Sequence, residues 1–149
     1  MSQNTFHVSL HVADLPAAIE RYRRLFGIEP AKVRHDYAKF ELVDPPAIVS
    51  LNVGGTPGTV GHLGIRYPGT GDVATEMVRA KGAGLDFFEQ QGTTCCYAKA
   101  DKFWVADADG MRWEMYAVEE DADAPSAADQ SLAPADPSLS ACNSGCRSM

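Results

Sequence analysis

Phe6-His7-Val8-Ser9-Leu10-His11-Val12 alternates without a break, with Phe6, Val8, Leu10 and Val12 on one face and His7, Ser9 and His11 on the other. Such period-two alternation marks a half-buried strand. Further along, Gly61-His62-Leu63-Gly64-Ile65-Arg66-Tyr67 does the same, with His62, Gly64 and Arg66 opposite Leu63, Ile65 and Tyr67. His7 and His62 are 55 residues apart, and so are Gly27 and Gly82. The chain therefore carries an internal repeat, and what lies between the two strands repeats with them.

After the first strand, Asp14 suits an N-cap and Pro16 a first helical turn. Leu15, Ile19, Tyr22 and Phe26 then line one helical face, and Gly27 sits at C′. Strands are expected near 32–35, 37–43 and 48–53, with Asp44-Pro45-Pro46 as a turn. After the second strand, Asp72 can cap a helix whose Val73, Met77 and Ala80 share a face and which Gly82 ends. Strands are expected near 85–89, 97–105 and 112–118, with Asp107-Ala108-Asp109-Gly110 as the last turn. A βαβββ unit used twice predicts an α+β domain over 1–120, with module one at about 5–54 and module two at about 60–118.

The register then slips. Ala38-Lys39-Phe40-Glu41-Leu42-Val43-Asp44 matches Asp101-Lys102-Phe103-Trp104-Val105-Ala106-Asp107 at a spacing of 63, so the second copy has gained eight residues. Thr93-Thr94-Cys95-Cys96-Tyr97 lies inside that insertion, the kind of place where function concentrates. Neighbouring Cα atoms are about 3.8 Å apart, whereas disulfides want about 4.4–6.8 Å. Cys95 and Cys96 therefore read as two reduced, soft sulfurs side by side, a pair that selects thiophilic ions and metalloids. Lys102 can lower a thiolate pKa or hold an anionic group.

Composition narrows the function classes. A net charge of -7 with no basic cluster argues against nucleic acid and anionic membrane as partners. No apolar run approaches the ~20 residues of a membrane span, and residues 1–5 show no signal peptide. The four cysteines then fit a reducing cytoplasm. Residues 121–149, rich in Ala, Ser, Pro and Asp, read as a disordered tail carrying Cys142 and Cys146.

The repeat places His7 and His62 at equivalent positions on the polar faces of two first strands. Pseudo-symmetric modules would bring them together inside a shared concave sheet. The last strand adds Glu114, on one face with Arg112 and Tyr116, where the first copy offers Ser50. Two His and one carboxylate make the facial triad of non-heme Fe(II) oxygen enzymes, with positions left for dioxygen and substrate. Zinc also accepts two His and one Glu with a water, and composition leaves both open. His11 ranks second to His7, because its repeat partner Arg66 cannot ligate, and His35 reads as exposed.

These residues resemble the vicinal oxygen chelate superfamily, which includes glyoxalases, extradiol dioxygenases and antibiotic-resistance proteins, over about 6–118. Leu25-Phe26-Gly27, Tyr37-Ala38-Lys39-Phe40, His62-Leu63-Gly64, Thr93-Thr94-Cys95-Cys96-Tyr97, Asp101-Lys102-Phe103-Trp104-Val105 and Arg112-Trp113-Glu114 resemble its ArsI/CadI family of organoarsenical carbon–arsenic lyases and cadmium-induced relatives. The resemblance implies a mixed sheet curled around Fe(II), with His7, His62 and Glu114 as ligands and Cys95 and Cys96 as arsenic-binding thiolates. It implies a dioxygen-using lyase, monomer or homodimer, that turns trivalent organoarsenicals such as methylarsenite into arsenite. It also implies a mobile loop over 91–102 that carries captured arsenic toward iron, and Glu114 and Lys102 are the candidate catalytic residues. Two other functions stay in play. One is a thiol-based cadmium or arsenite binder without turnover, and the other a glyoxalase- or extradiol-type enzyme with incidental thiols.

Overall fold

Both histidine-bearing segments are strands, and they lie side by side. The computed structural model describes residues 3–95 and 98–121, with 91–95, 98–100 and 119–121 described by their backbone. The elements run β1 (Thr5–Val12), α1 (Leu15–Phe26), β2 (Lys32–Val33), β3 (Tyr37–Val43), β4 (Pro46–Val53), β5 (Val60–Arg66), α2 (Thr70–Gly82), β6 (Phe88–Cys95), β7 (Ala98–Ala106) and β8 (Arg112–Asp121). They form one eight-stranded sheet in the order β2-β3-β4-β1-β5-β8-β7-β6. Each half is thus a βαβββ unit, and β1 meets β5 antiparallel at the centre, so the halves join within one chain. Parallel β1–β4 and β5–β8 pairs complete the mixed α+β sheet that the repeat predicts.

The register reproduces the duplication. Ser9 faces Ser50 across β1 and β4, and Gly64 faces Glu114 across β5 and β8. Gly64 has a steric reason to be glycine, since a Cβ there would lie 2.5 Å from the Glu114 carbonyl oxygen. Each helix covers its own half. Leu15, Ile19, Tyr22 and Phe26 of α1 pack on Ala38, Phe40, Val49 and Leu51, while Val73, Met77 and Ala80 of α2 pack on Phe103, Met115 and Ala117. Fully burying side chains such as Phe40 and Leu51 contributes about 1.5–3 kcal/mol each. These contacts use the odd positions of β4 and β8, so the even ones, Ser50 and Glu114 among them, project from the opposite face.

Helix α1 follows expectation, and five expectations elsewhere need correction. Asp14 caps α1 by accepting from Ala17 N, and Gly27 ends it at φ 69°. Helix α2 instead starts after Gly69, and Asp72 sits inside its first turn, accepting the Gly69 N–H at 3.0 Å. That helix includes Gly82, and its N–H bonds close on Ala83. Strand β6 is displaced toward Cys95, because its polar Gln90–Thr94 stretch is held by main-chain pairing with β7 rather than by an apolar face. The stretch expected as a loop is therefore, in its described part, a hairpin. Finally, β8 continues to Asp121, which pairs with Ala98, so the strand takes the first residue of the expected tail. The remainder, with Cys142 and Cys146, lies outside the described residues.

Candidate metal centre

His7 from β1, His62 from β5 and Glu114 from β8 point from one sheet face into a common space. One ligand atom of each lies within 4.8 Å of the others, and all three residues are buried. The imidazoles of His7 and His62 meet edge to face at 5.2 Å across the β1–β5 seam. Glu114 Oε1 stands 3.8 Å from His7 Nδ1.

What these atoms lack is as informative as where they lie. Both ring nitrogens of His62 and Nδ1 of His7 are buried without a hydrogen-bond partner. Buried polar atoms are nearly always paired, so three orphans in one place need a cause. Three ligand atoms converging on one space supply it, because a cation there accounts for His7 Nδ1 and one His62 nitrogen, the other His62 nitrogen keeping the ring proton. The donor set therefore fits a divalent metal. Burial also drives the His7 pKa down to about 4, against the pull of Glu114 and with help from Lys39, Arg66 and Lys102. His62 is lowered well below its ordinary value, again by burial first and then by His7 and Arg112. Both rings are thus neutral at pH 7 and need shed no proton to ligate.

The surroundings are equally ordered. Lys102, 3% exposed, points Nζ at Glu114 Oε2 from 3.5 Å, so one carboxylate oxygen faces an ammonium and the other faces His7. The lysine sits on the same face as the triad, where it compensates the buried charge of Glu114. Trp104 abuts His62 edge-on at 5.1 Å and donates from Nε1 to Gln90 Oε1 at 3.1 Å, tying β6 to the metal face. Tyr116 lies against His7 at 5.5 Å. Trp104 and Gln90 were not singled out from the sequence, and Tyr116 was placed only on the face of Glu114. For Trp104 and Tyr116 the signal was there, because each is two residues from Lys102 or Glu114 and so shares its face.

Other candidates lie elsewhere. His11 lies outside the triad, its ring between Gly55 and Gly61, where it lines a separate cavity of about 290 Å³ with Tyr22 and Thr59. The His35 side chain is 60% exposed. Cys95 closes β6 opposite Ala98, and Cys96 lies outside the described residues. No helix among the described residues is long and apolar enough to cross a membrane.

Comparison with known proteins bears on the family and the fold. The model of the Glyoxalase/Bleomycin resistance protein/Dioxygenase superfamily matches residues 5–115. The cadmium-induced protein CadI of Mycobacterium tuberculosis is 46% identical over 112 residues, 74% of each chain. A trivalent organoarsenical cleaving enzyme of Bacillus sp. strain MD1 is 44% identical over 115 residues, 74% of this chain and 70% of that one. Among solved structures, the 2,3-dioxygenase LapB of Pseudomonas sp. KL28 superposes with a TM-score of 0.62 at 14% identity, over 86% of this chain and 47% of its own. The paired βαβββ units, the buried His-His-Glu cluster and these relatives together place the chain in the Glyoxalase/Bleomycin resistance protein/Dioxygenase superfamily, within its family of cadmium-induced proteins and organoarsenical cleaving enzymes.

Proposed function

We propose that the protein is an Fe(II)-dependent, dioxygen-using carbon–arsenic lyase that converts trivalent organoarsenicals to arsenite. The observation that carries this reading is the triad with its orphaned nitrogens, in a chain 38–44% identical to enzymes named for cleaving trivalent organoarsenicals. His7, His62 and Glu114 would hold the iron, which supplies binding and activation of dioxygen at positions the three ligands leave open.

The remaining roles belong to the chain. Thiolates of Cys95 and Cys96 take up the two exchangeable positions of a methyl- or arylarsenic(III) species and leave its carbon substituent free. Trp104 and Gln90 anchor the base of the hairpin that carries Cys95, which keeps the captured arsenic near the triad. Holding the As–C bond beside the reacting centre is a proximity effect, drawing on a scale of about 7–11 kcal/mol at its ideal limit. Lys102 sets its ammonium against the Glu114 carboxylate and keeps it aimed.

The test is anaerobic reconstitution with Fe(II), then air and methylarsenite, with arsenite quantified. Stoichiometric arsenite that disappears in His62→Ala and in Cys95→Ser supports the lyase. The name of the 46%-identical relative, a cadmium-induced protein, favours a second reading: capture of Cd(II) or arsenite by the thiols without turnover. Under that reading Cys95→Ser abolishes binding, His62→Ala changes nothing, and no arsenite is released.

A further inference from the structure

Ser50 occupies, in the first half, the place that Glu114 holds in the second, so a neutral hydroxyl stands where the other half has a carboxylate. Its Oγ instead lies 3.1 Å from His7 Nε2, on the other edge of the ring from Nδ1. Behind it, the Asn52 amide donates to Ser9 Oγ at 2.8 Å and to Ser50 Oγ at 3.4 Å. Ser9, Ser50 and Asn52 are 2%, 1% and 4% exposed, so no bulk water competes for these bonds.

We infer that Ser50, anchored by Asn52, is a positioning residue that accepts the Nε2 proton of His7 and so presents Nδ1 to the metal. The inference rests on the metal reading proposed above. A neutral imidazole carries one ring proton, and whichever nitrogen binds a cation must be the other one. Nδ1 of His7 is the nitrogen that faces Glu114 and has no hydrogen-bond partner, so the proton belongs on Nε2. Ser50 Oγ is the partner there, and a hydroxyl can rotate to accept once Nδ1 has given up its lone pair. Ser9 and Asn52 stop that hydroxyl from drifting, since Asn52 bridges the two serines. The duplicated position has thus exchanged a ligand for the group that orients one.

Ring ¹⁵N shifts of histidine-labelled full-length protein, metal-free and loaded with Zn(II) as a diamagnetic probe, test this without any variant. The expected spectrum has zinc on Nδ1 and the proton on Nε2 of His7, and zinc on Nε2 overturns the inference. In parallel, Zn(II) affinity is measured by chelator competition. Ser50→Ala is expected to weaken it roughly 10–100-fold, with Ser50→Thr staying within about threefold of wild type. An affinity lost in His62→Ala but intact in Ser50→Ala sinks the inference alone. An affinity indifferent to His62→Ala sinks the metal reading, and the inference with it.

Discussion

The two halves of the sheet share one topology and spend it differently. Across β1 and β4 the paired positions are Ser9 and Ser50, joined to Asn52 in a neutral, buried hydrogen-bond network. Across β5 and β8 they are Gly64 and Glu114, and the neighbours are Lys102 and Trp104. Each half contributes one imidazole, but the carboxylate of the triad comes from the second. A duplicated scaffold needs to change few side chains to turn two equivalent pockets into one asymmetric centre, with a carboxylate in one half and an orienting hydroxyl network in the other.

The largest expected effect comes from removing a ligand of the second half. Glu114→Gln or His62→Ala should lower Fe(II) affinity by more than about 100-fold, beyond the cost of losing an orienting partner. Metal analysis after gel filtration, with arsenite release, checks this, and full retention of iron would break the comparison. Next comes Lys102→Met, which strands the Glu114 carboxylate in a buried site. Metal-free protein should lose about 3–5 kcal/mol in urea titration, and less once a cation replaces the ammonium. An equal loss with and without metal would mean that the lysine serves another group.

Smaller effects sharpen the contrast. Gly64→Ala sets a methyl against the Glu114 carbonyl, and overpacking of this kind costs about 1–3 kcal/mol. Thermal melts should show the loss together with weakened metal binding, whereas Ser9→Ala at the matching position should mainly perturb the hydroxyl network. Buried neutral imidazoles also fix the sign of a pH effect. Unfolded chain takes up a proton near pH 6.5, while His7 in the folded protein resists to about 4, because of burial above all. Metal-free protein should therefore be most stable above pH 6.5 and lose stability as pH falls toward 4, read from urea midpoints. Least of all, Asp14→Ala should cost α1 about 0.5–2 kcal/mol. Asp72→Ala in α2 should cost less, since the bond it accepts comes from Gly69, outside the helix.

Much of this was legible beforehand, for a physical reason. Alternation of period two, helical faces and the 55-residue spacing of His7 with His62 are local or self-similar signals, and they carried most strands, both helices and the pairing of the two histidines. Strand β6 was misplaced because Phe87 and Phe88 supply the apolar signal, while the polar stretch from Gln90 to Thr94 pairs through its backbone with β7 at the sheet edge. Asp72 looked like a cap because an acidic residue at N3 and one at N-cap leave similar traces in sequence. The Ser50–His7 bond was invisible, since it joins strands 43 residues apart through side chains with no periodic signature.

The seam between β1 and β5 has one more consequence. His7 and His62 stand on opposite sides of it, and the only covalent link across it among the described residues runs through 54–59. Any ion they share would staple the two halves together. A chain nicked in that connection should then reassemble when the ion is added and come apart when a chelator takes it away, making the protein a reporter of its own cargo.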